Sequence, residues 1–338
     1  MGRALDFWDE DRETPRMRFD KPLLRLPITF CAETLAAEVN ALPSSAWMPH
    51  PQGFAGNDAV PLVAADGGLN DRLRGVMAPT EHLARCPYIV ALMAELGGVW
   101  GRSRLMGLGA GAEVPGHVDT NYYWRTHIRI HIPVITNPQV TFTCGNESVH
   151  MAAGECWTFD SFQRHNVQNK GTEKRVHLVL DTVGGERLWA LLDAAGRDSV
   201  PSQPWMPGAR ELPPLSFERV NTPWVMTPWE MRCHLDYLAG HLPVGAPARD
   251  ALGRMERFIS TWHATWAQFG EHEEGQASYR QLIETARTDL KALGAGDMIL
   301  NNNVPFAYAL DALIFANALT RTRAEPGSRA TASVSLAS

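Results

Sequence analysis

The period of apolar and polar positions changes twice along this chain. Over residues 20–100 the pattern mixes helix and loop. Residues 32–42 carry apolar side chains at helical spacing, and so do residues 80–96, where Thr80 stands in the N-cap position. Between them, residues 47–70 are rich in Gly, Pro and Asp, which predicts loop with one short strand at 60–63. A different pattern follows. Short runs of β-branched and apolar residues occupy 102–108, 126–134, 140–143, 148–151, 155–159 and 175–181, punctuated by Gly, Pro and Asn. Such spacing predicts an antiparallel sandwich or barrel. Helical periodicity then returns at 229–242, 246–269, 277–293 and 304–319, with Gly294 and Gly296 as stop signals. A β core followed by helices is an α+β arrangement.

Composition narrows the classes. The 338 residues are 45% hydrophobic and 20% charged, enough apolar material for a sizeable core. A net charge of −6 excludes a basic nucleic-acid footprint as a global property. Five scattered cysteines (Cys31, Cys86, Cys144, Cys156, Cys233) form no CxxC pair, so neither a zinc ribbon nor a disulfide framework is expected. The first twenty residues lack the apolar run of a secretory signal. The longest apolar stretch, 304–319, contains Asp311 and is too short to span a bilayer. The expectation is a soluble cytoplasmic protein with no nucleic-acid or membrane partner and a disordered Ser/Ala-rich tail from residue 323.

Candidate chemistry begins at His117-Val118-Asp119, just after a Gly/Pro-rich bend. On extended backbone, residues two apart point to the same side, so one imidazole and one carboxylate can share a point. His165 follows the run ending Trp157-Thr-Phe-Asp160. Two histidines and one carboxylate are the donor set of the non-haem Fe(II) facial triad; the competing reading makes His165 a loop cap or a core histidine. Arg175 opens the run Arg175-Val-His-Leu-Val-Leu-Asp181, where Arg175, His177 and Asp181 alternate with Val176, Leu178 and Leu180. A buried arginine needs an anion: a dicarboxylate ligand held bidentately, or a structural partner such as Asp160 or Asp181. In the same way His127, Arg129 and His131 share one face of residues 127–134, and an interior placement would make both arginines converge on one anionic cosubstrate.

In this order, the segments His117-x-Asp119, Arg129-Ile-His-Ile-Pro-Val134, Gly154-Glu-x-Trp-x-Phe-Asp160, His165-x-Val-x-Asn169 and Arg175-Val-His-Leu-Val-Leu-Asp181 resemble the aspartyl/asparaginyl β-hydroxylase family. That family includes bacterial free-proline hydroxylases. The resemblance runs over residues 21–188, between an N-terminal extension (1–20) and a mostly helical region (189–322) before the tail (323–338). It implies a double-stranded β-helix, a cupin-like jelly roll, that uses Fe(II), 2-oxoglutarate and O2. By position it implies His117, Asp119 and His165 as iron ligands and Arg175 on the distal carboxylate of 2-oxoglutarate. Arg129 and His131 would place the other end of the cosubstrate, or the substrate. Trp157 and Phe159 are expected to pack the sheet. The animal peptidyl enzymes lack an acid at the position of Asp119, so the chain looks more like the prolyl-type members, and Asp119 also disfavours a halogenase.

The expected activity is hydroxylation of an unactivated C–H of an amino acid or an amino-acid residue in a peptide. Asn121, Tyr122, Tyr123 and Arg125, just beyond Asp119, are the substrate-contact candidates. The C-terminal helices are left with three roles open: a lid, a homodimer interface or a partner-binding module. The alternative is a metal-binding cupin without oxygenase activity, either a sensor or a Lewis-acid isomerase or lyase, which would have little use for inward-facing arginines.

Overall fold

The computed structural model describes residues 21–50, 53–196, 201–208 and 211–320; the expected N-terminal extension and disordered tail lie outside them. The chain starts with β1 (Leu23–Thr29), α1 (Ala32–Asn40), β2 (Met48–Pro49), β3 (Asn57–Ala65), β4 (Met77–Pro79) and α2 (Pro87–Leu96). Eight strands follow: β5 (Val99–Leu108), β6 (Glu113–His117), β7 (Ile128–Ile135), β8 (Val140–Cys144), β9 (Glu147–Val149), β10 (Glu155–Phe159), β11 (His165–Asn169) and β12 (Arg175–Thr182). One helical turn, α3 (Tyr122–Thr126), interrupts them between β6 and β7.

These eight strands are shared between two sheets. The large sheet contains the order β10-β7-β12-β5, extended by β1 beyond β10 and by β3 and β2 beyond β5. The small sheet runs β6-β11-β8-β9. The pairings among the eight are antiparallel, and the chain repeatedly switches sheet, which is the double-stranded β-helix.

Side-chain alternation explains why both faces of the large sheet are buried. Val176, Leu178 and Leu180 of β12 and Ile128, Ile130, Ile132 and Val134 of β7 join a core built with Leu35 and Val39 of α1 and Ile89, Leu92 and Met93 of α2. α4 (Glu186–Ala195) adds Leu188, Leu191 and Leu192 to that core, so the expected boundary at residue 188 falls inside a helix. The opposite face carries Arg175, His177 and Asp181 into the space between the sheets, beside a smaller apolar cluster of Leu108, Phe142, Phe159 and Val167. Gly154 makes a close approach that no side chain permits. Its φ is +81°, and a Cβ there would sit 2.2 Å from the Phe30 carbonyl oxygen.

The helical region comprises α5 (Pro228–Ala239), α6 (Ala246–Phe269), α7 (Gln276–Ala292) and α8 (Phe306–Leu310), the last running into a π-turn at Asp311–Phe315. Its core centres on Phe258, Trp262 and Tyr279, and also takes in Tyr122 and Phe162 from the β-helix. Trp262 is fully buried packing. No helix among the described residues is long and apolar enough to cross a membrane. One expected helix is shorter than its periodicity: Thr80 follows β4, and α2 starts only at Pro87, a good N1 residue after the Leu83–Arg85 turn.

Candidate active site

β6 and β11 pair with His117 directly opposite His165, which brings the two imidazole rings to 4.3 Å between centroids. The chain leaves β6 at His117, and the Asp119 amide donates to Ser161 O (3.0 Å) in the β10–β11 turn. That bond swings the carboxylate beside both rings. Asp119 Oδ1 lies 3.7 Å from His117 Nε2, and Oδ2 lies 3.9 Å from His165 Nε2. One ligand atom from each of the three residues lies within 4.8 Å of the others.

Backbone carbonyls settle the tautomers. His117 Nδ1 is 2.8 Å from Pro115 O, and His165 Nδ1 is 2.9 Å from Gln163 O. A carbonyl only accepts, so each Nδ1 carries the proton and each Nε2 presents a lone pair to the common point, the arrangement metal-binding histidines use. Burial pushes the His165 imidazole down to about 4 against the opposing pull of Asp119, so the ring is neutral at pH 7. Two imidazole nitrogens and one carboxylate oxygen fit Fe(II) with positions left open.

Arg129 anchors the carboxylate. Its Nη1 donates to Asp119 Oδ2 (3.0 Å) and its Nε to Asp181 Oδ1 (2.9 Å), across the β7–β12 register that sets Asp181 opposite Arg129. Burial alone would lower the Arg129 guanidinium, but the two carboxylates outweigh it and hold it above its usual value. Asp181 also lies 3.8 Å from Arg102 Nε, and Arg102 and Arg104 both reach Asp71 Oδ1 at 2.7 Å. The Trp124 ring lies under Arg129 (3.9 Å) and Arg102 (5.0 Å). Sequence reasoning assigned Arg129 to cosubstrate or substrate; two of its donors instead hold Asp119 and Asp181, while Nη2 stays buried without a partner.

Arg175 is the opposite case. It is 4% exposed and makes no ion pair among the described residues. Neither structural partner considered from the sequence reaches it. Asp181 is taken by Arg129, and Asp160 accepts from Phe162 N and Gln163 Nε2. Burial pushes the Arg175 guanidinium down to about 9. His131 and His177 share the same interior, with rings 5.8 Å apart and no hydrogen bond to either nitrogen of either ring. Burial, then the charge of Arg175, holds both well below their usual value. Three buried side chains with donors and no acceptor are of the kind that could hold an anion.

A cavity of about 360 Å³ opens beside Asp119 and Arg129. Of the four substrate-contact candidates, Asn121 and Arg125 line it, and Tyr122 and Tyr123 do not. The Tyr122 hydroxyl donates to Glu230 Oε1 (2.5 Å) on α5. The Tyr123 hydroxyl accepts from the Arg102 amide (2.9 Å), and its ring stacks on His127 at 3.7 Å. Both rings are buried, Tyr122 in the core of the helical region and Tyr123 in the core of the large sheet, which is why neither reaches the cavity. Trp124, Trp189, Tyr237 and Leu313 are also in its walls, and sequence reasoning singled out none of them for the site.

The aspartyl/asparaginyl beta-hydroxylase family model matches residues 63–184, a span holding His117, Asp119, Arg129, His131, His165 and Arg175. The resemblance read from the motifs is thus found by comparison, over the β-helix and not over the C-terminal helices. A search of curated proteins finds no match. Among solved structures, an oxidoreductase of the 2OG-Fe(II) oxygenase family from Burkholderia pseudomallei is 12% identical, covering 46% of this chain and 93% of its own, with a TM-score of 0.32. A Pseudomonas putida prolyl-4-hydroxylase is 13% identical over 48% of this chain and 92% of its own, TM-score 0.34. A Trichoplax adhaerens prolyl hydroxylase, solved with a hypoxia-inducible-factor peptide fragment, is 12% identical over 51% and 87%, TM-score 0.34.

Proposed function

We propose that this protein is an Fe(II)- and 2-oxoglutarate-dependent dioxygenase that hydroxylates an unactivated C–H of an amino acid or an amino-acid residue. The observation that carries the reading is Arg175, a buried guanidinium with no ion-pair partner, in the same interior as a triad of metal-binding donors. A cupin that only held a metal would need the triad and not the socket.

His117 Nε2, His165 Nε2 and Asp119 would hold the iron. Iron with 2-oxoglutarate and O2 supplies the oxidising chemistry: decarboxylation to succinate and transfer of one oxygen atom into a C–H bond. The protein's part is geometry. Pro115 O and Gln163 O lock the imidazoles in the ligating tautomer. Arg129 occupies Asp119 Oδ2, so Oδ1 would be the oxygen left to hold the metal. Arg175 takes the distal carboxylate of 2-oxoglutarate, with the His131 and His177 ring N–H groups as additional donors, and the apolar lining of Phe142 and Phe159 keeps water from that pair. Their depressed basicity keeps both rings neutral, which leaves each with one ring N–H to donate.

Succinate formation tests the reading. With Fe(II), ascorbate and air, the native protein converts 2-oxoglutarate to succinate, slowly alone and faster with substrate, and His165→Ala does not. A protein that binds the metal tightly and forms no succinate with any amino acid or peptide is a redox-silent cupin.

A further inference from the structure

The cavity carries a second arginine with no ion-pair partner among the described residues; Asp160, on the same cavity wall, acts on it only at longer range. Arg125 lies in the last turn of α3, six residues past Asp119, and lines the cavity. Its Nε is buried without a hydrogen-bond partner, and no carboxylate lies within ion-pair distance of it among the described residues. Its guanidinium lies 4.1 Å over the ring of Tyr237 on α5, and burial lowers its basicity. Tyr237 is itself fixed by Phe162 of the β-helix and by His241, with ring separations of 5.0 and 4.9 Å. The guanidinium is therefore held in place by the C-terminal helices, beyond the residues the family match covers.

We propose that the substrate is a free α-amino acid whose carboxylate pairs with Arg125, and that Tyr237 is the positioning residue for that socket. The proposal rests on the oxygenase reading above and names its substrate class. Three observations favour a free acid over a peptide. The cavity, about 360 Å³, is at the small end of ligand sites, which run from about 300 to 1,000 Å³. Three separate helical segments contribute to its walls: Trp189 and Leu192 of α4, Tyr237 of α5 and Leu313 of the π-turn. An extended polypeptide needs a groove open at both ends. An interior peptide residue would also bring an amide to Arg125 and leave its charge unpaired. Asp160 and Asp193 line the same cavity and suit an ammonium group, while Trp124 and Phe159 offer apolar surface next to Asp119.

The test compares acids with amides. Free L-amino acids and their carboxamides are titrated anaerobically into protein with Fe(II) and 2-oxoglutarate, and the visible band of chelated cosubstrate is followed together with tryptophan fluorescence. Trp124 and Trp189 are the cavity reporters. At least one free amino acid is expected to saturate both signals, with its carboxamide at least about tenfold weaker, the worth of one charge-assisted pair. Arg125→Gln should bring the acid to the level of the amide with the cosubstrate band retained, and Arg125→Lys should keep part of the preference. Tyr237→Leu should weaken the acid and not the amide. Equal binding of acid and amide, an unchanged preference in Arg125→Gln, or a cosubstrate band with no response to any amino acid overturns the proposal. The fluorescence arm needs no metal, so an acid preference without a cosubstrate band would sink the oxygenase reading and leave the socket standing.

Discussion

Arg175→Met should make the ligand-free protein more stable while abolishing its response to 2-oxoglutarate. The charge is costly where it sits. The fall from 12.5 to about 9 corresponds, at about 1.4 kcal/mol per pH unit, to about 5 kcal/mol of penalty on the charged form. Because the folded value lies below the unfolded one, that penalty is fully present at pH 7 and shrinks only as pH rises from about 9 to 12.5. Relaxation of the surroundings about the charge makes it an upper bound, and a gain of about 2 kcal/mol on removing the charge is the expected magnitude. Methionine keeps the length and apolar stem and fills the space. The assay is urea unfolding at pH 7 with and without 2-oxoglutarate in the presence of Fe(II) under argon. Native protein should gain about 2.7 kcal/mol at a hundredfold excess of cosubstrate over Kd, and Arg175→Met nothing. A variant less stable than the native protein without cosubstrate would refute the reasoning, since the guanidinium would then have a stabilising partner in the fold.

Three further outcomes follow from the geometry. Asp181→Asn removes the carboxylate shared by Arg129 and Arg102 and leaves buried charge uncompensated, so unfolding should become easier by about 3–5 kcal/mol, with weaker metal binding as Asp119 loosens; wild-type stability and metal affinity would count against this network. His234, buried without a hydrogen bond, is pushed down to about 3 from 6.5, chiefly by burial. The unfolded chain therefore takes up a proton that the folded ring refuses, and stability falls as pH drops from 6.5 toward 3. His234→Leu should reduce the loss between pH 6.5 and 5 by about 2 kcal/mol in urea unfolding, and an unchanged slope would refute the assignment. Gly154→Ala should destabilise by at least about 2 kcal/mol in thermal unfolding, because its φ is left-handed and its Cβ would meet Phe30 O; a neutral substitution would contradict that approach.

The sequence shows some parts of this molecule far better than others, for physical reasons. Residues 155–159 and 246–269 were predicted with the bounds the structure has, since one is a dense apolar run and the other a long amphipathic stripe ending at Gly270. The small-sheet strands carrying His117 and His165 were not recognised as strands. β6 reads Glu-Val-Pro-Gly-His and β11 His-Asn-Val-Gln-Asn, half-exposed segments whose pairing comes from partners, not from apolar content. The strand at 60–63 proved to be nine residues long, because Asn57 and Asp58 pair with Leu108 and Gly107 of β5 despite their poor strand propensity. Arg175 stood out because a charge interrupts an apolar alternation that is buried throughout. What Arg129 holds did not, since it depends on the β7–β12 register that sets Asp181 across from it. The far wall of the cavity was invisible for the same reason: Tyr237 and Leu313 arrive through helix packing more than one hundred residues from Asp119 in sequence.

The central claim is that one interior holds a metal triad and a carboxylate socket for a single cosubstrate. Anaerobic titration of the purified protein with Fe(II) and then 2-oxoglutarate tests it without knowledge of the substrate. A weak visible charge-transfer band should develop in the native protein, vanish in His117→Ala and need far more 2-oxoglutarate in Arg175→Met. Tight Fe(II) binding with no band at any 2-oxoglutarate concentration would contradict the account.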